Sequence, residues 1–456
     1  MSFRVRQLCR WLIACCALAA TSARADYVHI LCDHESFSAR ALLIEGAHCK
    51  VDAVYYNIEG DRAGRAFLCL LKQAAQRGVQ VRLLVDGLQN DIPGEVRQEI
   101  VAAGVELREY HPLLLHRPDW INSRIHDKLL IIDEWHMIVG SRNISDESFH
   151  AAPCRNYVER DAYVYGCAAN AAYYYFVKRW ESQQVRPAKL RHIYWDDIFG
   201  KDDDHHQGYI FTVPLESPIM PSLSDPPPAP EMADAQRAVV REASARQVEN
   251  DAEPLNWVTV QFLCDAPDVP KYVVGGIQYD VLGVLERARC EILIESPYLA
   301  FSNKMLRILF DARERGVRVV LLTNSAQSTD QKLAQAAFEN QKRQLLAAGI
   351  EIWEFGENNI LHAKSAVVDD FYGFIGSYNF DARSEKSNSE VAIRIDDPLE
   401  AMYLKQSIHE HMARSRRIGT DGKPVGYDER YPETKAIKKT AIHSLRLVTP
   451  FIKRLL

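Results

Sequence analysis

Apolar and polar positions along this chain follow two rhythms that keep handing over to each other. Stretches with apolar residues three and four apart, the helix period, end at a glycine and run straight into short β-branched runs. One such junction is Gln76-Arg77-Gly78-Val79-Gln80-Val81-Arg82-Leu83-Leu84, and Glu314-Arg315-Gly316-Val317-Arg318-Val319-Val320-Leu321-Leu322 repeats it. Ala102-Ala103-Gly104-Val105-Glu106-Leu107 and Ala347-Ala348-Gly349-Ile350-Glu351-Ile352 form a second matching pair. Glycine just past the last helical residue is the expected left-handed stop. The pattern predicts helix, glycine, strand, twice in each half of a duplicated chain. Helices alternating with strands imply an α/β layered fold, and halves of roughly 170 residues can each bury a core.

The repeat sets the expected organisation: residues 1–25 an export signal, 26–200 the first half, 201–254 a linker, 255–415 the second half, and 416–456 a basic amphipathic tail. In the signal, Arg4, Arg6 and Arg10 precede an apolar stretch from Trp11 to Ala20, and Ala23-Arg24-Ala25 fits a cleavage site. An uncleaved anchor is the alternative, although ten apolar residues are short for a membrane span. The linker is rich in proline and acids, with Pro226-Pro227-Pro228 near its middle. Asp202-Asp203-Asp204-His205-His206 beside it reads as solvated charge rather than a metal site.

Composition narrows the picture further. The 456 residues carry a formal charge of −6, which becomes −10 without the four arginines of the signal. A net-anionic body is a poor start for a non-specific nucleic-acid binder. Export permits disulfides, and Cys32–Cys49 and Cys264–Cys290 occupy matching places in the two halves; buried free thiols are the alternative.

Two further segments carry chemistry. His126-Asp127-Lys128-Leu129-Leu130-Ile131-Ile132-Asp133 leads to Gly140-Ser141-Arg142-Asn143, and His362-Ala363-Lys364-Ser365-Ala366-Val367-Val368-Asp369 leads to Gly376-Ser377-Tyr378-Asn379. From His to Asn the offset is 17 in both copies. The apolar run after each lysine predicts a buried strand. On a strand, His and Lys two apart share a face, whereas Asp133 and Asp369, at odd offsets, are expected to bind backbone or neighbouring loops. The Gly-Ser-x-Asn turns offer amides, a hydroxyl and a carboxamide suited to an anionic phosphate.

These paired segments resemble the signature of the phospholipase D superfamily: HxK, four residues, Asp, then a Gly-Ser-x-Asn turn. Tyr55-Tyr56, Glu295-Ser296-Pro297-Tyr298, Leu322-Thr323-Asn324-Ser325 and Ser328-Thr329-Asp330 are most similar to bacterial cardiolipin synthase and phospholipase D-like proteins. The resemblance covers nearly all of 26–415. It implies two pseudo-twofold-related α/β sandwich halves with one shared active site at their interface, and no metal or other cofactor. It also implies catalytic roles for His126, Lys128, Asp133, His362, Lys364 and Asp369. Ser141, Asn143, Ser377 and Asn379 would support the phosphate. Acids downstream of the Gly-Ser-x-Asn turns would orient the histidines across the interface, and Asp161 and Glu390 are the matching candidates.

Imidazole titrates near neutrality, so one histidine can attack phosphorus while the other protonates the leaving alcohol. The repeat makes the two nearly interchangeable; His126 is assigned as nucleophile and His362 as acid. The fold alone does not choose a substrate. Three features favour phospholipid at a membrane surface over nucleic acid: the acidic charge, a nine-residue insertion around Leu113-Leu114-Leu115 and Trp120 ahead of His126, and the basic amphipathic tail from Lys435 to Leu456. Local packing of the insertion and of the tail is the alternative for each. The expected activity is phosphodiester transfer, cardiolipin synthase-like or hydrolytic, in an exported periplasmic or membrane-associated protein; an exported nuclease of the same superfamily is the rival, and a lipid-binding relic without activity the third.

Overall fold

The computed structural model describes residues 26–31, 33, 35–112, 123–189, 257–266, 276–426 and 436–449. The signal, the linker and the Leu113–Trp120 insertion fall outside them.

In the first half, the order is β1 (Asp26–Leu31), α1 (Ser36–Glu45), β2 (Lys50–Tyr55), α2 (Arg62–Gln76), β3 (Gln80–Asp86), α3 (Gly94–Ala102), β4 (Glu106–Tyr110), β5 (Lys128–Ile132), β6 (His136–Gly140), β7 (Tyr157–Val158), β8 (Asp161–Tyr165), α4 (Cys167–Trp180) and β9 (Val185–Pro187). The second half repeats it: β10 (Trp257–Cys264), α5 (Ile277–Arg287), β11 (Glu291–Glu295), α6 (Asn303–Glu314), β12 (Arg318–Asn324), α7 (Lys332–Ala347), β13 (Glu351–Phe355), β14 (Ile360–Leu361), β15 (Ser365–Val368), β16 (Tyr372–Gly376), α8 (Ala382–Lys386), β17 (Val391–Asp396), α9 (Pro398–Ala413) and β18 (Ser415–Arg417). A last helix, α10 (Ala436–Leu445), follows. Gly78, Gly104, Gly316 and Gly349, the glycines that close the helix–strand junctions, all have left-handed φ between 77° and 102°.

Sixteen strands form one sheet, in the order β18-β13-β12-β11-β15-β16-β17-β10-β1-β8-β6-β5-β2-β3-β4-β9. Read outward from its centre, the two sides are copies of one another. The join is a short antiparallel pairing of β1 with β10, Asp26 opposite Val258 and Tyr27 opposite Trp257. The α/β layering expected from the repeat, and the pseudo-twofold pairing of halves that the family resemblance implied, are both observed.

Strand alternation feeds three cores. Leu130 and Ile132 of β5 point to the face covered by α1–α3, with Leu43, Phe67, Leu71 and Ile100. Ala366 and Val368 of β15 meet α5–α7 in the same manner. Leu129, Ile131 and Val367 point to the opposite face, where α4 and α9 lay Phe176, Trp180, Leu404 and Ile408 into one core common to both halves. Every residue of β5 is therefore apolar or anchored, as a strand covered on both sides must be.

The disulfide expectation is not met. Cys264 and Cys290 are free thiols, as is Cys49; Cys32 lies outside the described residues. The sheet order explains it: β10 and β11 stand four strands apart, about 19 Å at the usual strand spacing, well beyond disulfide reach. Of the tail, α10 packs along α7 with Ile442 buried. Asn340 of α7 ties down its end through Arg446 O at 2.8 Å and Thr449 Oγ1 at 2.9 Å. The described residues 436–449 of the tail pack onto the body, although Leu447 remains 77% exposed. Among the described residues, no helix is long and apolar enough to cross a membrane.

Candidate active site

Two short parallel pairings carry chain from one half to the other. In one, Ile360 and Leu361 of β14 pair with Tyr157 and Val158 of β7; in the other, Ile125 bridges Ser389. The residue after each partner is the one that matters. His362 N–H donates to Val158 O at 2.8 Å, and His126 N–H to Ser389 O at 2.8 Å. Parallel pairing keeps the chains in step, so each histidine emerges beside the next residue of the opposite half: His126 beside Glu390, His362 beside Glu159.

The side chains follow the backbone. His126 Nδ1 lies 2.9 Å from Glu390 Oε2, and His362 Nδ1 lies 2.8 Å from Glu159 Oε1. A carboxylate on Nδ1 holds the proton there and leaves Nε2 as the free, basic nitrogen. The carboxylates are themselves held. Ser141 Oγ donates to Glu159 Oε2 at 2.5 Å, and Ser377 Oγ to Glu390 Oε2 at 2.5 Å. Ser384 Oγ adds a bond to Glu390 Oε1 at 2.6 Å, and Ser148, at the same seven-residue step, reaches Glu159 Oε1 at 3.4 Å.

Here Asp161 differs from its expected role. It touches neither histidine; it accepts from Ser36 Oγ at 2.5 Å and Arg142 Nε at 3.0 Å, and pairs with Arg40 at 3.0 Å. The carboxylate on His362 is Glu159, two residues earlier. Sheet register supplies the reason, since Asp161 pairs with Gly140 whereas Ala392 pairs with Gly376, making Glu159 the counterpart of Glu390. The two serines likewise turn their hydroxyls to these carboxylates, not into the chamber.

The glycine of each Gly-Ser step is demanded by the neighbouring strand of its own half. A Cβ on Gly376 would sit 2.4 Å from Ala392 Cβ and Val391 O, and one on Gly140 would sit 2.0 Å from Asp161 Oδ1. Asp133 and Asp369 lie away from the site. Each has left-handed φ at a hairpin turn (48° and 55°). Asp133 accepts from the amides of His48, Cys49 and Lys50, and Asp369 from those of Arg289, Cys290 and Glu291, at 2.7–3.0 Å. They brace β2 and β11, a structural duty that agrees with their odd offset.

Lys128 opens β5 and Lys364 immediately precedes β15; both turn back, Nζ donating to His126 O at 2.8 Å and to His362 O at 2.6 Å. Both are buried, and burial lowers them: Lys128 to about 7, with the charge of Lys364 adding to the effect, and Lys364 to about 8 against the pull of Glu159 and Glu390. Burial also brings His126 down to about 4, with Lys128 and Lys364 pushing the same way against Glu390. His362 is lowered by burial and by both lysines, against Glu159. Burial works against Glu159, but His362, Lys364 and Arg142 hold it well below the carboxylate range. Each histidine thus feels the lysine of the other half, and the paired segments form one electrostatic unit.

The carboxamide oxygens of Asn143 and Asn379 are buried with no hydrogen-bond partner, so these side chains are uncommitted within the protein. Aromatic walls differ between the two sides: the Tyr56 ring stands edge-on to His126 at 5.0 Å and under Lys128 Nζ at 4.9 Å, whereas Tyr157 faces His362 at 5.0 Å. Behind the histidines, Asp86 holds Arg124 and the Ile125 amide, and Asn324, at the same end of β12, brackets Leu361 through both amide atoms at 2.8–2.9 Å. Sequence reasoning missed Glu159, Ser148, Ser384, Asp86 and the two tyrosines. The seven-residue step from each Gly-Ser serine was a readable signal for Ser148 and Ser384. Two buried imidazoles with free Nε2 atoms, two lysines and two uncommitted amides can hold a phosphodiester and exchange its alcohols.

Residues 42–165 and 281–414 match the family described as cardiolipin synthase, PLD-like domain. Cardiolipin synthase C of Escherichia coli (strain K12) is 26% identical over 408 residues, covering 81% of each chain. An uncharacterized protein of Helicobacter pylori is 26% identical over 405 residues, covering 82% of this chain and 77% of its own. The crystal structure of Haemophilus influenzae phosphatidylserine synthase shares the fold, with a TM-score of 0.64 at 15% identity over 94% of this chain and 95% of that one. With its duplicated half, crossed site and family match over more than half its length, this chain belongs to the cardiolipin synthase family of phospholipase D-like proteins.

Proposed function

We propose that this protein transfers the phosphatidyl group of glycerophospholipids between alcohols through a phosphohistidine. The observation that carries the reading is the crossed pair of buried Glu–His contacts, Glu390 on His126 and Glu159 on His362, each leaving Nε2 free. Likeness to cardiolipin synthases supports the substrate class.

A phosphodiester is anionic and repels nucleophiles, so the site has to supply both positive charge and a base-like nitrogen. His126 Nε2 attacks phosphorus and forms the P–N bond as the P–O bond to the leaving alcohol breaks; His362 Nε2 gives that oxygen its proton. His362 then takes a proton from water or an acceptor hydroxyl, whose oxygen attacks phosphorus while the P–N bond breaks. Glu159 favours the imidazolium that His362 must form. Lys128, Lys364, Asn143 and Asn379 meet the non-bridging oxygens, and a preorganised field of this kind is commonly the largest single contribution. Nucleophile and charge both come from side chains, so the chemistry requires no metal. Export through residues 1–25 and work at a membrane surface complete the proposal.

Purified protein incubated with phosphatidylglycerol vesicles, followed by lipid mass spectrometry, tests it. Release of glycerol with formation of phosphatidic acid or a bis-phosphatidyl product is expected, with labelled phosphorus trapped on His126. Plasmid cleavage with untouched lipid, or full turnover by His126→Ala, overturns it; label on His362 reverses the two roles.

A further inference from the structure

Beside the His362 wall lies a group of cations that the transfer steps leave unused. Arg155 precedes β7 and sits in the first half; Lys332 opens α7; Lys438 belongs to α10. They gather over the loop of residues 325–331 that links β12 to α7. Lys438 Nζ donates to Gln327 O at 2.7 Å and Thr329 O at 2.8 Å. Arg155 donates from one amino group to Ser328 O, across the halves. These bonds leave donors over: a lysine ammonium has three N–H groups, a guanidinium five, and Arg155 Nε is buried with no partner. Lys332 is exposed.

The group borders the catalytic chamber. Asp330 accepts from Tyr298 Oη at 2.7 Å, and its charge is felt at Lys364 and at Tyr157, whose ring faces His362. Arg155 is two residues from Tyr157. Among the described residues, Asp330 is the acid facing this group, so there three cations meet one carboxylate. The crowding registers on the lysine of the tail, which burial and neighbouring Arg155 bring down to about 8. Cations brought together from both halves and the tail, with donors to spare, fit a second anion next to the reacting phosphorus.

We propose that Arg155, Lys332 and Lys438 form an acceptor subsite that binds the phosphate of a second phospholipid, whose free hydroxyl then attacks the phosphohistidine. The subsite rests on the phosphatidyl-transfer reading. It gives the enzyme a means of choosing a lipid alcohol over water: an acceptor anchored by its phosphate presents its hydroxyl at high effective concentration. It also gives the docked tail a role in acceptor choice.

The test partitions one donor among acceptors. Wild type, Lys438→Met (which keeps the aliphatic stem), Arg155→Gln and Lys438→Arg are supplied with labelled phosphatidylglycerol as donor and with glycerol, glycerol 3-phosphate or excess phosphatidylglycerol as acceptor, and the ratio of transfer to hydrolysis is read. For Lys438→Met and Arg155→Gln the ratio with phosphatidylglycerol is expected to fall about tenfold, the loss of one charge-assisted hydrogen bond, with the acceptor KM raised. The ratio with glycerol stays at the wild-type value, and Lys438→Arg restores transfer to the lipid. A loss shared by glycerol 3-phosphate assigns recognition to the phosphate whatever its source; a loss confined to the lipid places it at the bilayer; both support the subsite. Ratios within twofold of wild type, whether or not total turnover drops, reduce these cations to loop supports and overturn it. A wild-type enzyme that transfers to no lipid at all refutes the underlying reading as well, an outcome visible before any variant is made.

Discussion

Replacing Glu159 by glutamine keeps the shape at His362 and removes the charge. The carboxylate is buried and accepts Nδ1–H of His362 at 2.8 Å and Ser141 Oγ at 2.5 Å; in the proposed mechanism it stabilises the imidazolium of the acid step. Losing one charge-assisted bond costs about 1.5–3 kcal/mol, so kcat should fall about 10- to 150-fold. The loss rises toward 10⁴ only where the new amide also turns the imidazole into the wrong tautomer, as in a serine protease triad. Asp161→Asn, two residues away, makes the contrast. Asp161 pairs with buried Arg40 and Arg142, both at 3.0 Å. Its neutralisation takes the carboxylate from Arg40 and leaves Arg142 with Asp33 alone, so about 3–5 kcal/mol of stability should go while the folded fraction keeps kcat within about threefold. The assay is phosphodiester turnover at saturating substrate alongside urea unfolding on the same preparations. If Glu159→Gln holds wild-type kcat, or Asp161→Asn loses catalysis and keeps its stability, the crosswise orienting role assigned to Glu159 is wrong.

Other consequences follow from the same geometry. Lys128 and Lys364 carry their charge below about 7 and about 8 in the free enzyme and lose it as pH rises through those values. kcat/KM should therefore fall from about pH 7 and more steeply above about pH 8, kcat should hold to higher pH because bound phosphate favours the ammonium forms, and Lys364→Arg should leave only the shallower limb of Lys128; a wild-type profile level to about pH 9.5 contradicts this. Asn143→Ala and Asn379→Ala should each lower kcat about 10²-fold, as loss of a charge-stabilising donor does, while urea midpoints stay put because neither carboxamide oxygen is bonded within the protein. Gly376→Ala should destabilise by about 3 kcal/mol or more, since its Cβ would lie 2.4 Å from Ala392 and Val391; an unchanged unfolding midpoint would show that the paired strands β16 and β17 can separate.

The duplicated layers, the glycine stops and the two His/Lys pairs were legible because each leaves a local trace: a period, a left-handed turn, a fixed offset. Glu159 was not. Glu159 and Asp161 stand two apart, and period-two geometry gives both the same face, so spacing alone cannot choose between them. The choice is made by pairing, Gly140 opposite Asp161, which moves the first-half carboxylate two residues back from the expected place. The counts from Ser141 to Glu159 and from Ser377 to Glu390, 18 against 13, conceal the equivalence. The cysteine pairs failed for a related reason: matching positions in two halves record symmetry, not proximity, and strands adjacent in sequence lie four apart in the sheet.

The crossing also decides what one half could do alone. Neither histidine finds its carboxylate in its own half, and the backbone bond that places it, to Val158 O or to Ser389 O, comes from the opposite half too. A lone half would expose an imidazole with free rotation and two possible tautomers, so orientation depends on the assembled pair. The halves are then made unequal where symmetry would be idle. Asp127, after His126, accepts from Tyr175 Oη at 2.5 Å, and Arg179 spans from that tyrosine to Ser389 Oγ at 2.8 Å; the matching position after His362 is Ala363. On the other side, Arg160 crosses from the first half to Glu295, Ser365 and Ser407. The three arginines named as crossing the interface, Arg155, Arg160 and Arg179, all come from the first half, so the protein locks its copies together by unlike contacts while the paired Glu–His contacts stay alike. The proposed transfer asks for that division, because its nucleophile and acid have to be built alike to share one phosphorus, yet its donor and acceptor enter from surroundings that must differ.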